Sequence, residues 1–470
     1  MTGRKGSGGG EPTVVKFGGA ALGSEASLAS VMAVIRNAPR PLIVVVSARE
    51  GVTDLLKTAI STPSDRRKHE QVLERLTALH DGGGTEVQRC LEDLRKQFGK
   101  LHRAAGARAS GPSRSWLARA PPPLSDAILA YGERLAAHWF ARLLERGGIS
   151  ARAVEADLIG LATDEHHGDA IVLLDRSEVP VKRALLPLMR KGVVPVVTGF
   201  VGRTPSGRVA TLGRGGSDYT ATCLGHLLDA GRVELVKKDV SILTADPRIV
   251  PEARPLSRLS YEEAEELAQF GAKVLHPLTV EPARDKGFEV VIRSLVDPSK
   301  TTTIGPALPG EGSRALTLLS PAAMLLLRVP GGRQRKGVIA EVSRVLAHSE
   351  VNVITMFTSS ALLIVLVEHG AGRKARRVLD PFARADGASL EGPLDASLVT
   401  AIGEGVLADL GGLPSEVSSR ALGVSATSRT LSFAVPVSAG HDTLVSLHRT
   451  LVGRRSAAPT ARERALRGLT

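Results

Sequence analysis

The sequence feature that most restricts the fold is a glycine turn between two short β-rich runs. Residues 13–17 (TVVKF) contain several β-branched side chains and lead into Gly18-Gly19. Apolar residues then recur at helical spacing, at Leu28, Val31, Met32 and Ile35, before Pro39 ends the pattern. Residues 41–47 (PLIVVVS) are apolar without alternation, which is typical of a strand buried on both faces. Strand, glycine turn, helix and strand in this order predict a mostly parallel sheet covered by helices.

The same pattern recurs along the next part of the chain. Helical spacing covers residues 126–144 and 218–228, and a β-rich run occupies residues 193–198. Residues 99–123 are small, basic and proline-rich, so we predict a surface insertion there. The first domain is therefore predicted to be α/β and to extend over residues 13–296, after a disordered leader at residues 1–12.

The C-terminal part of the chain has a different organisation. Residues 297–315 are rich in Pro, Gly and Thr and predict a linker. Beyond it, strand-like and helix-like runs follow one another in two similar series. We predict two ferredoxin-like βαββαβ modules, at residues 316–394 and 395–455, followed by a basic tail at residues 456–470.

The charge balance raises the question of nucleic-acid binding. Lysine and arginine exceed aspartate and glutamate by 61 − 48 = 13, and a basic chain can bind nucleic acid. Aromatic residues make up only 3% of the chain, however, so stacking surfaces for bases are scarce. We interpret the excess as a surface bias that attracts anions such as ATP, and a nucleic-acid partner is the less favoured alternative.

Cysteine usage and hydropathy indicate the class of protein. The chain has only two cysteines, Cys90 and Cys223, so neither a disulfide framework nor a cysteine-based zinc site is expected. No apolar run approaches the roughly 18–20 residues that cross a bilayer. The start of the chain lacks the apolar centre of a signal peptide. These features favour a cytoplasmic protein that has no membrane partner.

Lys16 and the two glycines after it form the first candidate site. A lysine at a strand end can place its ammonium group against phosphate oxygens, and the glycines let backbone N–H groups approach the same anion. The spacing matches neither G-x-x-x-x-G-K-[ST] nor G-x-G-x-x-G. A tight turn with a solvated lysine is the favoured interpretation of this segment when it is taken alone.

The second candidate site is the glycine-rich stretch TLGRGGSDYTAT at residues 211–222. Ser217 or Asp218 can simply cap the helix that follows. Arg214 stands among three glycines, which is unusual for a turn, and it can bind a substrate carboxylate. The backbone amides beside it can face a transferring phosphoryl group.

Two further stretches carry charged residues beside prolines. TADPR at residues 244–248 offers Asp246 and Arg248, although the local pattern is only a turn. FGAKVLHP at residues 270–277 offers Lys273. His276 in the same stretch is interpreted as a structural hydrogen-bonding residue, and no histidine spacing predicts a metal site.

Six stretches in this order resemble the signatures of the aspartate kinase family, which has the amino-acid kinase fold and C-terminal tandem ACT domains. They read KFGGAA (residues 16–21), SAREGVT (47–53), YGERL (131–135), TLGRGGSDYTAT (211–222), LTADPRIVPEA (243–253) and FGAKVLHP (270–277). The resemblance covers residues 13 to about 452. It implies ATP-dependent phosphorylation of the side-chain carboxylate of L-aspartate, with Mg²⁺ held mainly by the nucleotide and homo-oligomers formed through the ACT modules.

The resemblance also implies roles for individual residues. Lys16 and Asp218 are the expected catalytic residues, with Lys16 on the transferred phosphoryl group. The expected substrate-binding residues are Ser47, Thr53, Glu133, Arg214 and Ser217, with Glu133 on the α-ammonium group and Arg214 on the α-carboxylate. The expected nucleotide-binding residues are Gly18, Gly19, Lys238, Asp239, Arg248 and Lys273.

The sequence departs from the family pattern in the catalytic domain. Ala20-Ala21 replace a Thr-Ser pair, so two hydroxyl donors near the phosphates are absent. Lys238 and Ser241 replace an aspartate and a glycine on the nucleotide side, and Asp239 replaces that aspartate only after a shift of one residue. We therefore expect relaxed discrimination between ATP and GTP.

The first ACT-like module departs from the family as well. Ile354 and Ser360 stand where the family commonly has acidic residues that bind an inhibitory amino acid, unless Glu350 or Glu368 takes that role. Two alternatives to an active aspartate kinase stay open. The chain could be a catalytically weak binding or regulatory subunit, or a kinase for an aspartate analogue.

Overall fold

The computed structural model describes residues 10–109, 120–239, 241–271, 274–308, 314–328, 337–385 and 387–453. Several predicted features therefore lie outside the described residues in whole or in part. They are most of the leader, residues 110–119 of the insertion, Lys273, residues 309–313 of the linker and the basic tail.

The secondary structure alternates between strands and helices over most of the described chain. The strands are β1 (Thr13–Phe17), β2 (Leu42–Val46), β3 (Ala151–Val154), β4 (Val194–Thr198), β5 (Val201–Arg203), β6 (Val209–Thr211), β7 (Arg232–Lys237), β8 (Arg258–Ser260), β9 (Glu289–Ser294), β10 (Thr301–Gly305), β11 (Ala315–Arg328), β12 (Val353–Thr358), β13 (Leu362–Glu368), β14 (Ser389–Ile402), β15 (Gly423–Ala426) and β16 (Thr430–Pro436). The helices are α1 (Glu25–Asn37), α2 (Val52–Ser61), α3 (Arg66–Leu79), α4 (Gly84–Ala109), α5 (Pro122–Leu129), α6 (Tyr131–Arg146), α7 (Leu174–Arg190), α8 (Gly216–Leu227), α9 (Tyr261–Gln269), α10 (Glu281–Lys286), α11 (Val338–His348), α12 (Gly372–Ala385), α13 (Ser415–Arg420) and α14 (Gly440–His448). None of the helices in the described chain is both long and apolar enough to cross a membrane.

The chain divides into two compact units. The first comprises residues 1–242 and 274–306, and the second comprises residues 243–273 and 307–470. Each unit is described separately below.

The first unit is built on a mostly parallel sheet. Seven of its strands lie side by side in the order β3-β4-β2-β1-β7-β9-β10. The pairs from β3 to β9 are parallel, and β10 runs antiparallel to β9. All residues of β1, β2 and β4 are buried, which explains why these strands read as continuous rather than alternating apolar runs. The carboxyl ends of β1 and β7 meet at the same edge, since Phe17 pairs with Val236.

The predicted surface insertion (residues 99–123) and the predicted linker (residues 297–315) both contain regular secondary structure. Residues 99–109, predicted as part of a surface insertion, continue helix α4, and Leu101 is buried in the main core. Pro122 and Pro123 begin helix α5 rather than ending a loop, which suits proline because the first helical residues need no N–H partner. Residues 301–305, predicted as linker, form β10, since the run TTTIG is rich in β-branched residues.

The second unit contains a six-stranded antiparallel sheet in the order β12-β13-β11-β14-β16-β15. Strands β11 and β14 are long, and each contributes to two halves of this sheet. Residues 322–328 of β11 pair with β13, whereas residues 315–319 pair only with residues 398–402 of β14 among the strands. One half thus contains β12, β13 and the adjoining parts of β11 and β14, with helices α11 and α12. The other contains β15, β16 and the remaining parts of β11 and β14, with helix α14.

Each half has the strand order of a ferredoxin-like βαββαβ unit, as predicted. In the second half, however, the strand beside residues 398–402 comes from residues 315–319, which precede the first half in sequence. Separate apolar cores lie under the two halves. One contains Val342, Leu363 and Leu379, and the other contains Val399, Phe433 and Leu444.

Candidate active site

Lys16 lies at the carboxyl end of β1, where the sequence predicted a phosphate-binding lysine. Its side chain is almost fully buried, with 6% of the residue exposed. The turn that follows packs tightly, because a Cβ atom at Gly19 would collide with the Ala48 carbonyl oxygen. Gly18 donates its backbone N–H to the Val236 carbonyl oxygen of β7 at 3.3 Å. The glycine pair thus lets the chain after Lys16 turn close to β7 and to the Ala48 carbonyl.

Asp218 lies in the first turn of helix α8 and faces Lys16. The helix begins after Gly213 and Gly215, whose φ angles of 68° and 75° lie in the left-handed region that favours glycine. The Asp218 carboxylate forms an ion pair with the Lys16 ammonium group at 2.6 Å and accepts a hydrogen bond from the Lys237 ammonium group at 2.9 Å. The predicted catalytic pair is therefore brought together.

Burial and charge act in opposite directions on this cluster. Desolvation alone would raise the pKa of Asp218, but the two ammonium groups outweigh it and hold that pKa well below its ordinary value. For Lys16, desolvation is the largest effect and lowers the pKa of the ammonium group, although Asp218 opposes it. The carboxylate is consequently ionised at neutral pH and fixes two cations at one point.

Lys237 is the site residue that the sequence analysis missed. Its ammonium group donates to the Asp218 carboxylate and, at 2.6 Å, to the Val274 carbonyl oxygen. A signal was present, because Lys237 is the last residue of β7 after a buried run, and Lys16 is the last residue but one of β1. The comparison with the family pattern drew attention to Lys238 instead.

Glu133 lies in helix α6 and is buried, with 4% of the residue exposed. Its Oε1 accepts the backbone N–H of Ala48 at 3.1 Å. Desolvation raises the pKa of Glu133 to about 8, and the charge of Lys16 only partly offsets this. Glu133 is thus a buried carboxyl group that an incoming cation would ionise.

Ser47 and Thr53 lie at the two ends of a loop that Arg49 fixes in place. Both are partly buried, and Thr53 belongs to the first turn of α2. The Arg49 Nε donates to the Leu22 carbonyl oxygen at 2.9 Å, and its guanidinium lies 4.1 Å from the ring centroid of Trp139. Arg49 therefore ties this loop both to the glycine turn after β1 and to helix α6.

Arg214 is exposed, and Ser217 is buried at the start of α8. The strand before Arg214 is held by Asp126, which was not among the predicted site residues. The Asp126 carboxylate accepts the Thr211 hydroxyl at 2.8 Å, the Thr211 backbone N–H at 3.1 Å and Nδ1 of His167 at 2.9 Å. A Cβ atom at Gly215, next to Arg214, would collide with the His276 side chain. Burial lowers the pKa of His276, Asp169 opposes this, and Arg214 adds to it.

The predicted nucleotide-binding residues that the structure describes are distributed over both units. Lys238 and Asp239 are exposed after β7, and Asp239 forms an ion pair with Lys300 at 3.5 Å. Arg248 belongs to the second unit, where it forms an ion pair with Asp246 at 2.5 Å. Lys273 lies outside the described residues. These assignments stay predictions.

The Thr-Ala-Asp-Pro-Arg stretch is anchored within the second unit by Thr244. Its carbonyl oxygen accepts the Leu316 N–H at 2.8 Å, and its hydroxyl lies 2.9 Å from Nε2 of His448. Within the described residues, no cluster of three or more His, Cys, Asp or Glu side chains has the arrangement of a metal site.

Comparisons with known proteins agree with this geometry. A model of the amino acid kinase family matches residues 11–294. The chain belongs to the amino acid kinase family. The family resemblance predicted from the six signatures is thereby confirmed, together with the α/β fold class of the first unit.

Curated relatives of the chain are aspartokinases. Lysine-sensitive aspartokinase 3 of Escherichia coli is 28% identical over 377 residues, which are 76% of this chain and 78% of that protein. Chloroplastic aspartokinase 2 of Arabidopsis thaliana is 30% identical over 297 residues, 62% of this chain and 54% of its own length. The aspartokinase of Corynebacterium glutamicum is 32% identical over 288 residues, 60% of this chain and 65% of its own length. The aligned stretches thus span about half to three quarters of these relatives.

Solved structures of aspartokinases match both parts of the chain. E. coli aspartokinase III in complex with aspartate and ADP, in the R-state, has a TM-score of 0.77 at 25% identity, over 94% of this chain and 100% of that one. The same protein with lysine and aspartate, in the T-state, has a TM-score of 0.74 at 25% identity and the same coverage. The aspartate kinase of Clostridium acetobutylicum, at 19% identity and a TM-score of 0.72, supports the fold alone. The predicted amino-acid kinase fold with C-terminal ACT-type modules is confirmed.

Proposed function

We propose that this member of the amino acid kinase family is an aspartate kinase. It transfers the γ-phosphoryl group of ATP to the side-chain carboxylate of L-aspartate and produces 4-phospho-L-aspartate and ADP. The observation that carries the proposal is the buried cluster of Lys16, Asp218 and Lys237 with Glu133 beside it. The similarity to an aspartokinase solved with aspartate and ADP supports this choice of substrates.

The cation cluster suits phosphoryl transfer, in which positioning and electrostatic stabilisation do most of the work. Negative charge accumulates on the oxygens of the transferring phosphoryl group. Lys16 meets that charge in a buried site, and Asp218 holds the ammonium group of Lys16 in position. Lys237 doubles the positive charge at the same carboxylate, so that Asp218 does not neutralise the cluster.

The acceptor needs no general base. The side-chain carboxylate of aspartate is already ionised at pH 7, so its oxygen attacks phosphorus directly while the bond to the β-phosphate oxygen breaks. What the protein must supply is the position of that carboxylate. Ser47, Thr53 and Ser217 are proposed to hold the side chain of the amino acid.

The amino and carboxyl groups of the substrate are proposed to meet opposite charges. Glu133 binds the α-ammonium group, which replaces the solvent that burial has removed from this carboxyl group. Arg214, exposed between two glycines, binds the α-carboxylate through its guanidinium. This pairing selects a zwitterion over a simple carboxylic acid.

The nucleotide is proposed to lie against Gly18 and Gly19, with Lys238, Asp239, Arg248 and Lys273 around it. Mg²⁺ typically binds through one or two carboxylates and the phosphate groups of a substrate. We propose that it is held mainly by the phosphates of ATP, where it neutralises charge between them. Assembly into homo-oligomers through the ACT modules and a cytoplasmic location remain proposals.

Trapping of the product with hydroxylamine tests the proposed function. Acyl phosphate should form only when ATP, Mg²⁺ and L-aspartate are all present, and Lys16→Met should abolish it. If the folded chain binds ATP but forms no hydroxamate with aspartate, the alternative of a catalytically weak binding or regulatory subunit is favoured. Hydroxamate formed only from an aspartate analogue would instead show a different acceptor.

A further inference from the structure

A basic cleft lies on the first unit, between helices α3 and α4. It has a volume of about 470 Å³ and is lined mainly by Arg66, His69, Arg95, Phe98, His102 and Arg103. Glu70 is the one acidic side chain on its wall, and it is paired with Arg95 at 2.7 Å. The proposed kinase mechanism uses none of these residues.

The cleft is built around two histidines whose hydrogen bonds fix their tautomers. His69 is 2% exposed, and its Nε2 lies 2.9 Å from the Ala59 carbonyl oxygen. Because a carbonyl oxygen only accepts, Nε2 carries the proton, and Nδ1 of a neutral His69 is an acceptor. Nε2 of His102 lies 3.2 Å from that Nδ1 and donates to it. The ring of His69 is held further by Phe98, at 4.5 Å between ring centroids.

This arrangement leaves one nitrogen able to take up a proton. Nδ1 of a neutral His102 carries no hydrogen, so a proton can be added there without breaking either hydrogen bond. The Pro63 carbonyl favours the protonated form of the His102 ring. Burial, followed by the neighbouring His69 and Arg66, lowers the pKa of His102 below its ordinary value of 6.5. The imidazolium form therefore needs an additional negative charge in the cleft.

The charges around the cleft indicate which kind of ligand could supply this negative charge. Glu70 neutralises Arg95, whereas in the described part of the chain no carboxylate forms an ion pair with Arg66 or Arg103. Two guanidinium groups and one imidazole that can be charged thus surround the space. Guanidinium forks match the oxygens of a phosphate group, and an anion with about two negative charges balances two arginines.

We propose that this cleft binds a small phosphate-bearing anion through Arg66, Arg103 and His102, and that binding is coupled to proton uptake by His102. The anion raises the pKa of His102 because it stabilises the imidazolium form. Affinity therefore increases as the pH falls through the histidine range, and it decreases with added salt. The proposal does not depend on the kinase activity.

Isothermal titration of the full chain with inorganic phosphate and with pyrophosphate tests this. The Lys16→Met background weakens binding of the same probes at the kinase site. Titrations near the ordinary histidine pKa of 6.5, in two buffers with different heats of ionisation, give the number of protons taken up. We expect uptake of a fraction of a proton, tighter binding at lower pH, and little binding of chloride. Citrate, a carboxylate of similar charge, shows whether phosphate is required.

Matched variants separate the cleft from general surface charge. Arg66→Gln combined with Arg103→Gln should weaken phosphate binding by about tenfold or more. Arg75→Gln, an exposed arginine of helix α3 that does not line the cleft, should leave it unchanged. His102→Gln should remove the proton uptake and the pH dependence while weaker binding persists. Absent binding, an equal loss in Arg75→Gln, or uptake that persists in His102→Gln would overturn the proposal.

Discussion

Two buried carboxyl groups of the first unit, Asp218 and Glu133, have opposite electrostatic surroundings. Asp218 contacts two ammonium groups within 3 Å, and its pKa is far below the ordinary value. Glu133 accepts a hydrogen bond from the backbone N–H of Ala48, and burial raises its pKa to about 8. Burial is nearly the same in both cases, with 5% and 4% of the residue exposed. The difference therefore comes from the neighbouring charges.

This difference indicates separate tasks for the two groups. A carboxylate that is already paired holds its cations and has little capacity to bind another. A carboxyl group that is buried without an ion pair gains most when a cation arrives. Asp218 is accordingly suited to fixing Lys16 and Lys237, and Glu133 to recognising an ammonium group of the substrate.

Removing Asp218 should have the largest effect. Asp218→Ala leaves two ammonium groups beside each other without a counter-charge, which should cost about 3–5 kcal/mol of stability as well as turnover. Urea unfolding monitored by circular dichroism measures the loss. Glu133→Gln provides the contrast, since it removes no ion pair and should cost much less. Equal free energies of unfolding for the two variants would contradict the proposed difference between Asp218 and Glu133.

Lys16→Met should reduce turnover while the fold persists. Lys237 still pairs with Asp218 in this variant, so the free energy of unfolding changes less than in Asp218→Ala. We expect kcat to fall by about 10²–10³-fold, because the charge is needed chiefly in the transition state. Steady-state kinetics measure the change, and Lys57→Met, at an exposed position in α2, is the charge-matched control. A folded variant with near wild-type kcat would exclude the role of Lys16.

Glu133 predicts a dependence of aspartate binding on pH. The group is protonated below about pH 8 in the unliganded protein, but an ammonium ligand needs its ionised form. Aspartate affinity should therefore rise as the pH approaches 8 and level off above it, with about one proton released on binding well below pH 8 and none above it. Glu133→Gln should flatten this profile.

Both Glu133→Gln and Arg214→Ala should weaken aspartate binding by about 1.5–3 kcal/mol and ATP binding much less. A rise in KM for ATP alone would reverse the assignment.

Arg49→Met should have a smaller effect, which sharpens the comparison on the Glu133 side. Arg49 holds the loop that carries Ala48, the donor to Glu133, against Trp139. Losing the stacked cation should cost about 0.5–2 kcal/mol. We expect a several-fold higher KM for aspartate at nearly constant kcat, together with a shift in tryptophan fluorescence. Arg49→Lys should restore part of the effect. A change in kcat alone would place Arg49 with the Asp218 cluster instead.

The smallest effect is expected from lysine and threonine. Ile354 lies partly buried in β12 and Ser360 is exposed before β13, so neither offers a carboxylate to an effector ammonium group. An ammonium buried there without a partner costs several kcal/mol. Titration of each amino acid against kinase activity, singly and together, should show little inhibition. Potent inhibition would show that Glu350, Glu368 or another acid binds the effector, as we propose for Glu133 and the substrate.

Much of the fold followed from short apolar runs. The apolar runs at residues 13–17 and 41–47 predicted a mostly parallel sheet. Strands of such a sheet are buried on both faces, so their apolar residues do not alternate with polar ones. The helix through residues 99–109 was missed because its composition is small and basic. Leu94, Phe98 and Leu101 nevertheless follow helical spacing, and all three are buried. Periodicity was the better guide than composition.

The sequence predicted site residues only where they belong to a recognisable motif. Lys16 and Asp218 were found through glycine-rich stretches, and the structure brings them into contact. The position of Lys237 at the end of β7 is a local signal, but its contact with Asp218 depends on the packing of α8 against β7, which a local pattern does not report. Successive residues of a strand point to opposite faces, so Lys237 and Lys238 could not both reach Asp218. The sequence has two adjacent lysines, Lys237 and Lys238, and only the tertiary structure shows that Lys237 contacts Asp218.

The pairing of residues 315–319 with residues 398–402 has a consequence for synthesis on the ribosome. Residues 315–319 leave the exit tunnel before the whole of the first half of the C-terminal sheet, and their partner strand leaves after it. The second half therefore cannot close while the nascent chain grows past α12, and it waits for strands made later. Cutting the chain after residue 319 would remove one strand from the half that is made last. Folding of the second module therefore depends on a strand that is made before the first module, even though the two cores are separate.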